Sequence, residues 1–173
     1  MSLDSLEKLF IEELRDIYHA EKQLTRALPR MAKAAESAEL QEAFTLHTKE
    51  TEGQIKRLER VFKEVGQAVR AKRCKGMEGL VEEGKEKMEE EGEPQVLDAA
   101  LIASAQKIEH YEIAAYGCLR TYAELLGYTE AAQLLQQTLE EEEATDKKLN
   151  TLAEGGINEQ AASVGAMEEQ EEE

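Results

Sequence analysis

Apolar residues recur at alternating spacings of three and four along four stretches of the chain, the signature of helices that each bury one stripe. The stretches fall at about 3–34, 38–66, 94–126 and 129–154. Punctuation agrees with these limits: Gly66 follows the second, Gly127 the third, and Gly155 and Gly156 the fourth, while Pro94 opens the third. Pro29 lies inside the first helix and is expected to bend or interrupt its final turns. Residues 67–93 have another texture, with Gly76, Gly79, Gly84 and Gly92, and read as a crossover with a short helix near 77–91.

The turns near residues 36 and 127 are short, and the connection between the second and third helices is long. That pattern implies two antiparallel hairpins joined by a crossover that returns along the bundle. The expected fold is all-α: a ferritin-like four-helix bundle over residues 1–155. Residues 156–173 hold six acids and no base. They include Glu168, Glu169, Glu171, Glu172 and Glu173, and the segment is expected to be an acidic, mobile tail.

Each apolar stripe is broken near its middle. In the first helix Glu21 stands between Leu14 and Leu28; in the third Glu112 stands between Ile108 and Leu119, with Glu109 on a neighbouring row. The second helix runs Phe44, His47, Thr51, Gln54, Leu58, with Glu50 on the same face, and the fourth runs Leu139, Glu142, Asp146, Leu149. Glu21 precedes its turn by 15 residues and Glu50 follows it by 14; Glu112 and Glu142 lie 15 on either side of the second turn. At about 1.5 Å per residue these positions share one height in the bundle.

No Lys or Arg stands on the seams to pair with these carboxylates. Buried unpaired charges cost several kcal/mol each, and a divalent cation pair is the usual remedy, because carboxylates bind and bridge hard metals. The spacings suit that chemistry. Glu109 and Glu112 are one turn apart, and Glu142–Asp146 and Glu50–Gln54 are both i, i+4 pairs. Glu21 mirrors Glu112, and Glu50–Gln54 mirrors Glu142–Asp146, a pseudo-twofold plan like that of diiron carboxylate proteins.

Composition narrows the function classes. The formal charge is −17, from 38 acidic and 21 basic residues, which argues against nucleic acid and anionic membranes as partners. No apolar run is long enough to span a bilayer, no signal peptide is visible, and Cys74 and Cys118 form no CxxC, so a cytoplasmic protein with reduced thiols is expected. His19 is expected to be exposed, and His110 to lie at the surface or behind the metal ligands. Tyr18 and Tyr116 are expected to be core aromatics with hydrogen-bonded hydroxyls.

The segments Asp16-Ile-Tyr-His-Ala-Glu-Lys-Gln-Leu24, His47-Thr-Lys-Glu-Thr-Glu-Gly-Gln54, Cys74-Lys-Gly-Met-Glu-Gly79, Asp98-Ala-Ala-Leu-Ile-Ala103, Glu109-His-Tyr-Glu-Ile-Ala-Ala-Tyr-Gly117 and Leu139-Glu-Glu-Glu-Glu-Ala-Thr-Asp146 together resemble the YciF-type family of bacterial stress proteins, ferritin-like relatives of rubrerythrin. The resemblance implies a ferritin-like fold, a dinuclear iron or manganese centre and a link to stress, and it names no reaction. The sequence departs from the broader diiron pattern. Gly53 stands where an ExxH motif would place His, and Asp146 stands where a fourth-helix His would be expected. His47 is the remaining nitrogen donor, either a ligand or a hydrogen-bonding neighbour of one; Gln54 can ligate weakly or hydrogen-bond a carboxylate.

The expected metal residues are therefore Glu21, Glu50, Glu109, Glu112, Glu142 and Asp146, with His47 and Gln54 as further candidates, around two divalent ions of iron or manganese. The leading functional expectation is a dimetal oxidoreductase of peroxidase, catalase-like or ferroxidase-like type, with oxygen or peroxide as the small oxidant. The alternative is a non-enzymatic stress protein, in which metal staples the bundle or the protein binds a partner. A closed homodimer is expected rather than a shell, because the charged outer faces offer no second and third apolar patches. Light scattering should give a dimer mass; a 12-mer or 24-mer would refute this expectation.

Overall fold

The computed structural model describes residues 3–171. Its helices are α1 (Leu6–Ala34), α2 (Ala38–Glu64), α3 (Lys75–Glu89), α4 (Pro94–Leu125), α5 (Thr129–Leu152) and α6 (Asn158–Glu171), with a π-helical turn at Ala153–Ile157 between the last two. Local chemistry sets the ends. Ser5 and Ser37 accept from the backbone N–H groups of Lys8 and Leu40 at the starts of α1 and α2, and Pro94 occupies the first turn of α4. Gly66 (φ 66°) and Gly127 (φ 80°) take the left-handed conformation that ends α2 and α4. Pro29 does not interrupt α1, which continues to Ala34; the proline is on the exposed face, so the backbone hydrogen bond it removes is lost on the side open to water.

α1 pairs with α2 and α4 with α5, and the two hairpins pack through α2 on α5 and α1 on α4. The result is a ferritin-like four-helix bundle with an aliphatic core. Phe10, Leu14, Leu24 and Leu28 of α1 are fully or almost fully buried, as are Leu40 and Leu58 of α2, Leu101 and Leu119 of α4, and Leu135 of α5. Two aromatic pairs add to it: Tyr18 meets Phe62 edge-on at 5.6 Å, and Phe10 stacks on Tyr128 at 5.9 Å.

The crossover carries α3 back along α1 and α4. Its entry is pinned to α1. Lys72 N–H donates to the Arg15 carbonyl at 2.9 Å, and Cys74 N–H donates to His19 Nδ1 at 3.1 Å. His19 is thus half-buried rather than exposed, and its role as acceptor at Nδ1 leaves the ring proton of the neutral form on Nε2. Tyr111 OH donates to Asp16 Oδ2 at 3.0 Å and lies 3.0 Å from Cys74 Sγ, so one hydroxyl ties α4, α1 and the crossover together. Gly76 is needed beside it, because a Cβ there would come within 2.6 Å of the Tyr111 ring.

The C-terminal segment, acidic by composition, is helical up to Glu171. Ala153 and Ile157 are buried, Gly156 (φ 140°) redirects the chain, and α6 leans on α4. The Ile157 anchor and the run of helix-forming Ala, Gln and Glu outweigh the acidity over the described part. Glu172 and Glu173 lie outside the described residues.

One buried acid locks the two hairpins. Asp98, in the first turns of α4, accepts from Glu36 N–H through Oδ1 and from Ser37 N–H through Oδ2, both at 2.8 Å. It therefore caps α2 from another hairpin. Asp98→Ala should lower stability by about 1–3 kcal/mol in a urea melt, since two backbone donors lose a charged acceptor. A change near zero would show that water replaces it fully.

Candidate metal centre

The stripe interruptions converge. Glu21, Glu109, Glu112 and Glu142 are each 0% exposed, and His47 is 3% exposed. α1 contributes Glu21, α2 His47, α4 Glu109 and Glu112, and α5 Glu142. Each occupies a stripe position, so the packing that buries the neighbouring leucines buries these groups too. One ligand atom from each of His47, Glu109, Glu112 and Glu142 lies within 4.8 Å of the others. A buried His–Glu cluster of this kind can hold a metal ion.

The donors are otherwise poorly satisfied. His47 Nε2 is 3.1 Å from Glu109 Oε1, and His47 Nδ1 is 3.6 Å from Glu50 Oε2. Neither contact has good hydrogen-bond geometry. Both oxygens of Glu109, Glu112 and Glu142, Glu21 Oε2, Gln54 Oε1 and both His47 nitrogens are buried without a well-formed hydrogen bond among the described residues. Buried polar groups are normally satisfied, so this concentration of open lone pairs fits a cation. Tyr116 is the one firm partner: its buried hydroxyl donates to Glu21 Oε1.

Burial and mutual repulsion shape the protonation of the layer. Burial raises the Glu112 carboxyl well above the ordinary range, and the charges of Glu142, Glu21 and Glu109 push in the same direction. Burial also raises Glu142, as do the Glu109 and Glu21 charges, against an opposing pull from His47. Glu21 is pushed up to about 7, again chiefly by burial, although the Tyr116 hydrogen bond and the His47 charge oppose the rise. For His47 burial favours the neutral ring, but the Glu109 charge and contact and the Glu50 contact outweigh it, so its pKa lies well above 6.5. Metal binding must displace that proton before a His47 nitrogen can ligate.

Not every sequence-predicted residue joins the cluster. The Glu50 side chain is 36% exposed; it borders the cluster through His47 Nδ1, 3.6 Å from its Oε2, and is not one of the four converging donors. Asp146 also stands apart: its Oδ1 lies 3.3 Å from Gln106 Nε2 and 3.3 Å from His110 Nε2, on the flank of the bundle. Its i, i+4 spacing carries it about 6 Å along the helix axis from Glu142, which takes it out of the carboxylate layer. Gln54 is buried and donates to Glu141 Oε2 at 3.1 Å. Tyr18 donates to Glu59.

Sequence reasoning missed the neighbour of Gln54. Arg57 makes a two-pronged contact with Glu141, at 2.9 and 2.7 Å, and also donates to Thr138 at 2.8 Å. The signal was present, since Arg57 follows Gln54 by three residues on the same helical face. This ion pair borders a cavity of about 410 Å³ between α2 and α5. Phe44 and Leu149 are among its apolar walls, while His47, Glu50 and Glu109 line its polar part. The cavity thus reaches one edge of the cluster.

Comparison with known proteins agrees with the fold. Residues 5–162 match the family described as Domain of unknown function (DUF892). The chain is 51% identical over 162 residues to Protein YciF of Escherichia coli (strain K12), covering 93% of this chain and 98% of that protein. The crystal structure of that E. coli stress protein superposes with a TM-score of 0.87 at 50% identity, covering 90% of this chain and 99% of that one. A Xanthomonas campestris pv. campestris protein shares the fold at 22% identity, with a TM-score of 0.68 over 98% of this chain and 100% of its own.

The cluster sets the pH dependence of the metal-free protein. Glu21, Glu112 and Glu142 are raised, so the folded chain binds more protons than the unfolded chain above about 4.5. His47 acts in the same direction above 6.5. Stability is fullest below the unfolded carboxylate pKa, and it should fall as pH rises through the folded values, about 7 for Glu21. Urea melts in chelator from pH 5 to 8 should show that decline, with recovery on adding manganese. Glu142→Leu should raise metal-free stability by about 1–3 kcal/mol and remove the metal-dependent gain. A less stable metal-free variant would mean that Glu142 is a satisfied structural group.

Proposed function

The chain belongs to the DUF892 family, and we propose that its buried cluster is a dinuclear iron or manganese carboxylate centre that reacts with oxygen or peroxide. The observation that carries this reading is the set of unsatisfied donors on His47, Glu109, Glu112 and Glu142, enclosed in an otherwise aliphatic core. Glu21 extends the set toward α1, close enough that its charge raises the pKa values of Glu112 and Glu142. Together these residues offer four carboxylates and one imidazole, a hard and mainly oxygen donor set suited to either metal.

A bound metal pair would supply Lewis acidity and two one-electron changes. The chain's own residues supply the remaining functions. Tyr116 holds Glu21 in one orientation through its hydroxyl. Glu50 Oε2, 3.6 Å from His47 Nδ1 and partly exposed, offers a route by which the His47 proton leaves for water. Phe44 and Leu149 limit water along the cavity by which a small oxidant would enter. The stress role of the E. coli relative is extended to this chain as part of the same proposal.

A second reading, a structural staple, is favoured by one observation: the four clustered donors come from three helices, α2, α4 and α5, so one ion would cross-link both hairpins. The two readings separate on turnover. Calorimetric titration of metal-free protein with manganous or anaerobic ferrous ion should show up to two ions bound per chain, and Glu112→Gln should lose at least one. Catalytic consumption of peroxide or oxygen with excess ferrous or manganous ion supports the oxidoreductase; stoichiometric binding without turnover supports the staple. Absence of binding by either ion would overturn both readings.

A further inference from the structure

A second site lies away from the carboxylate layer and has the opposite charge. The chain carries 38 acids, yet residues 65–77 contain none, while Arg70, Lys72, Arg73 and Lys75 fall within that stretch. The extended entry to the crossover lays part of this run beside the N-terminal half of α1. Between them lies a cleft of about 600 Å³, lined by Lys8, Arg15, Arg70 and Lys72, with Glu12 as its only lining acid. That volume is in the range of small-molecule sites.

The cleft is held in shape by the backbone. The Lys72 N–H to Arg15 carbonyl bond fixes the crossover against α1, and the Arg15 guanidinium reaches Gln67 Oε1 at 3.4 Å from the other side. Its charges are incompletely answered. Glu12 is committed to Lys72, and Lys8 pairs with Asp4. Arg15 Nε is buried with no hydrogen-bond partner, and Arg70 forms no ion pair among the described residues. The guanidinium groups of Arg15 on α1 and Arg70 on the crossover both line the cleft, and the pair matches an anion with several acceptor oxygens. A phosphoryl group presents three, in the geometry that arginine recognises in pairs of parallel hydrogen bonds. Ile11 and Ala71 add apolar wall beside these charges.

We infer that this cleft is a binding site for a phosphorylated small molecule, held by Arg15 and Arg70 and independent of the metal centre. Pyrophosphate and ADP are the probes, titrated calorimetrically into the full chain at low salt with chelator present, so that no metal bridges anion and protein. Saturable binding of at least one probe, one per chain, is expected, and added salt should weaken it. Arg70→Glu and Arg15→Gln should each weaken it about tenfold or more, as loss of a charged hydrogen bond requires, while Glu112→Gln should leave it unchanged. Tighter ADP binding would assign the remaining cleft to an organic body; equal affinities would assign recognition to the phosphates alone. Far-UV circular dichroism checks that the variants fold, and the exposed Arg70 position gives a variant free of core strain. No saturable binding, equal binding of acetate, or affinity unchanged in both arginine variants would overturn the inference.

Discussion

Four carboxylates cannot all be ionised in one dry layer of a helical bundle. That constraint governs the centre of this protein. Glu21, Glu109, Glu112 and Glu142 are each completely buried among leucines and alanines, with His47 as the only basic group in the cluster. Charge in such a place must be neutralised by protons or by cations, and the raised pKa values of Glu21, Glu112 and Glu142 are the proton solution. The cation solution uses the same atoms. A hydrophobic replacement would pack the bundle without either, so the cluster is poorly explained as a device for stability alone.

The rest of the molecule positions that layer. Asp98 locks the α1–α2 turn to the start of α4, which sets the height of one hairpin against the other. Arg57 and Glu141 join α2 to α5 beside the cluster, and the Arg57 guanidinium is taken up by Glu141 and makes no ion pair with the buried acids among the described residues. On the far side, Tyr111 ties α4 to α1 and to the crossover. The centre is thus braced on several sides by polar contacts while its own donors stay open.

Periodicity made much of this readable. Glu21, Glu112 and Glu142 sit where a stripe demands an apolar residue, and a stripe position is a buried position whatever occupies it. His47 was readable for the same reason. Glu50 has the right height and shares the broad face of His47 and Gln54, but it lies at the margin of that face, which leaves its side chain partly exposed. Asp146 satisfied the stripe but not the height, so Gln106 and His110 receive it instead. Arg57 shares a face with Gln54, but its partner Glu141 is 84 residues away in the chain, and the spacing within α2 does not name it. At the C-terminus a buried Ile157 and good helix formers give α6, a helix that the acidity of the segment hides.

The division of donors between the hairpins has a kinetic consequence. Glu21 and His47 belong to α1 and α2, whereas Glu109, Glu112 and Glu142 belong to α4 and α5, beyond the crossover. Each hairpin can form from local contacts, which are fast, but the layer exists only once the two have docked. Docking is therefore the step that adds Glu21 and His47 to the three acids of the other hairpin and shuts all of them from water. Its barrier should depend on what neutralises them, and a chain folding where cations are scarce would pause as two half-built hairpins, each keeping its acids in water.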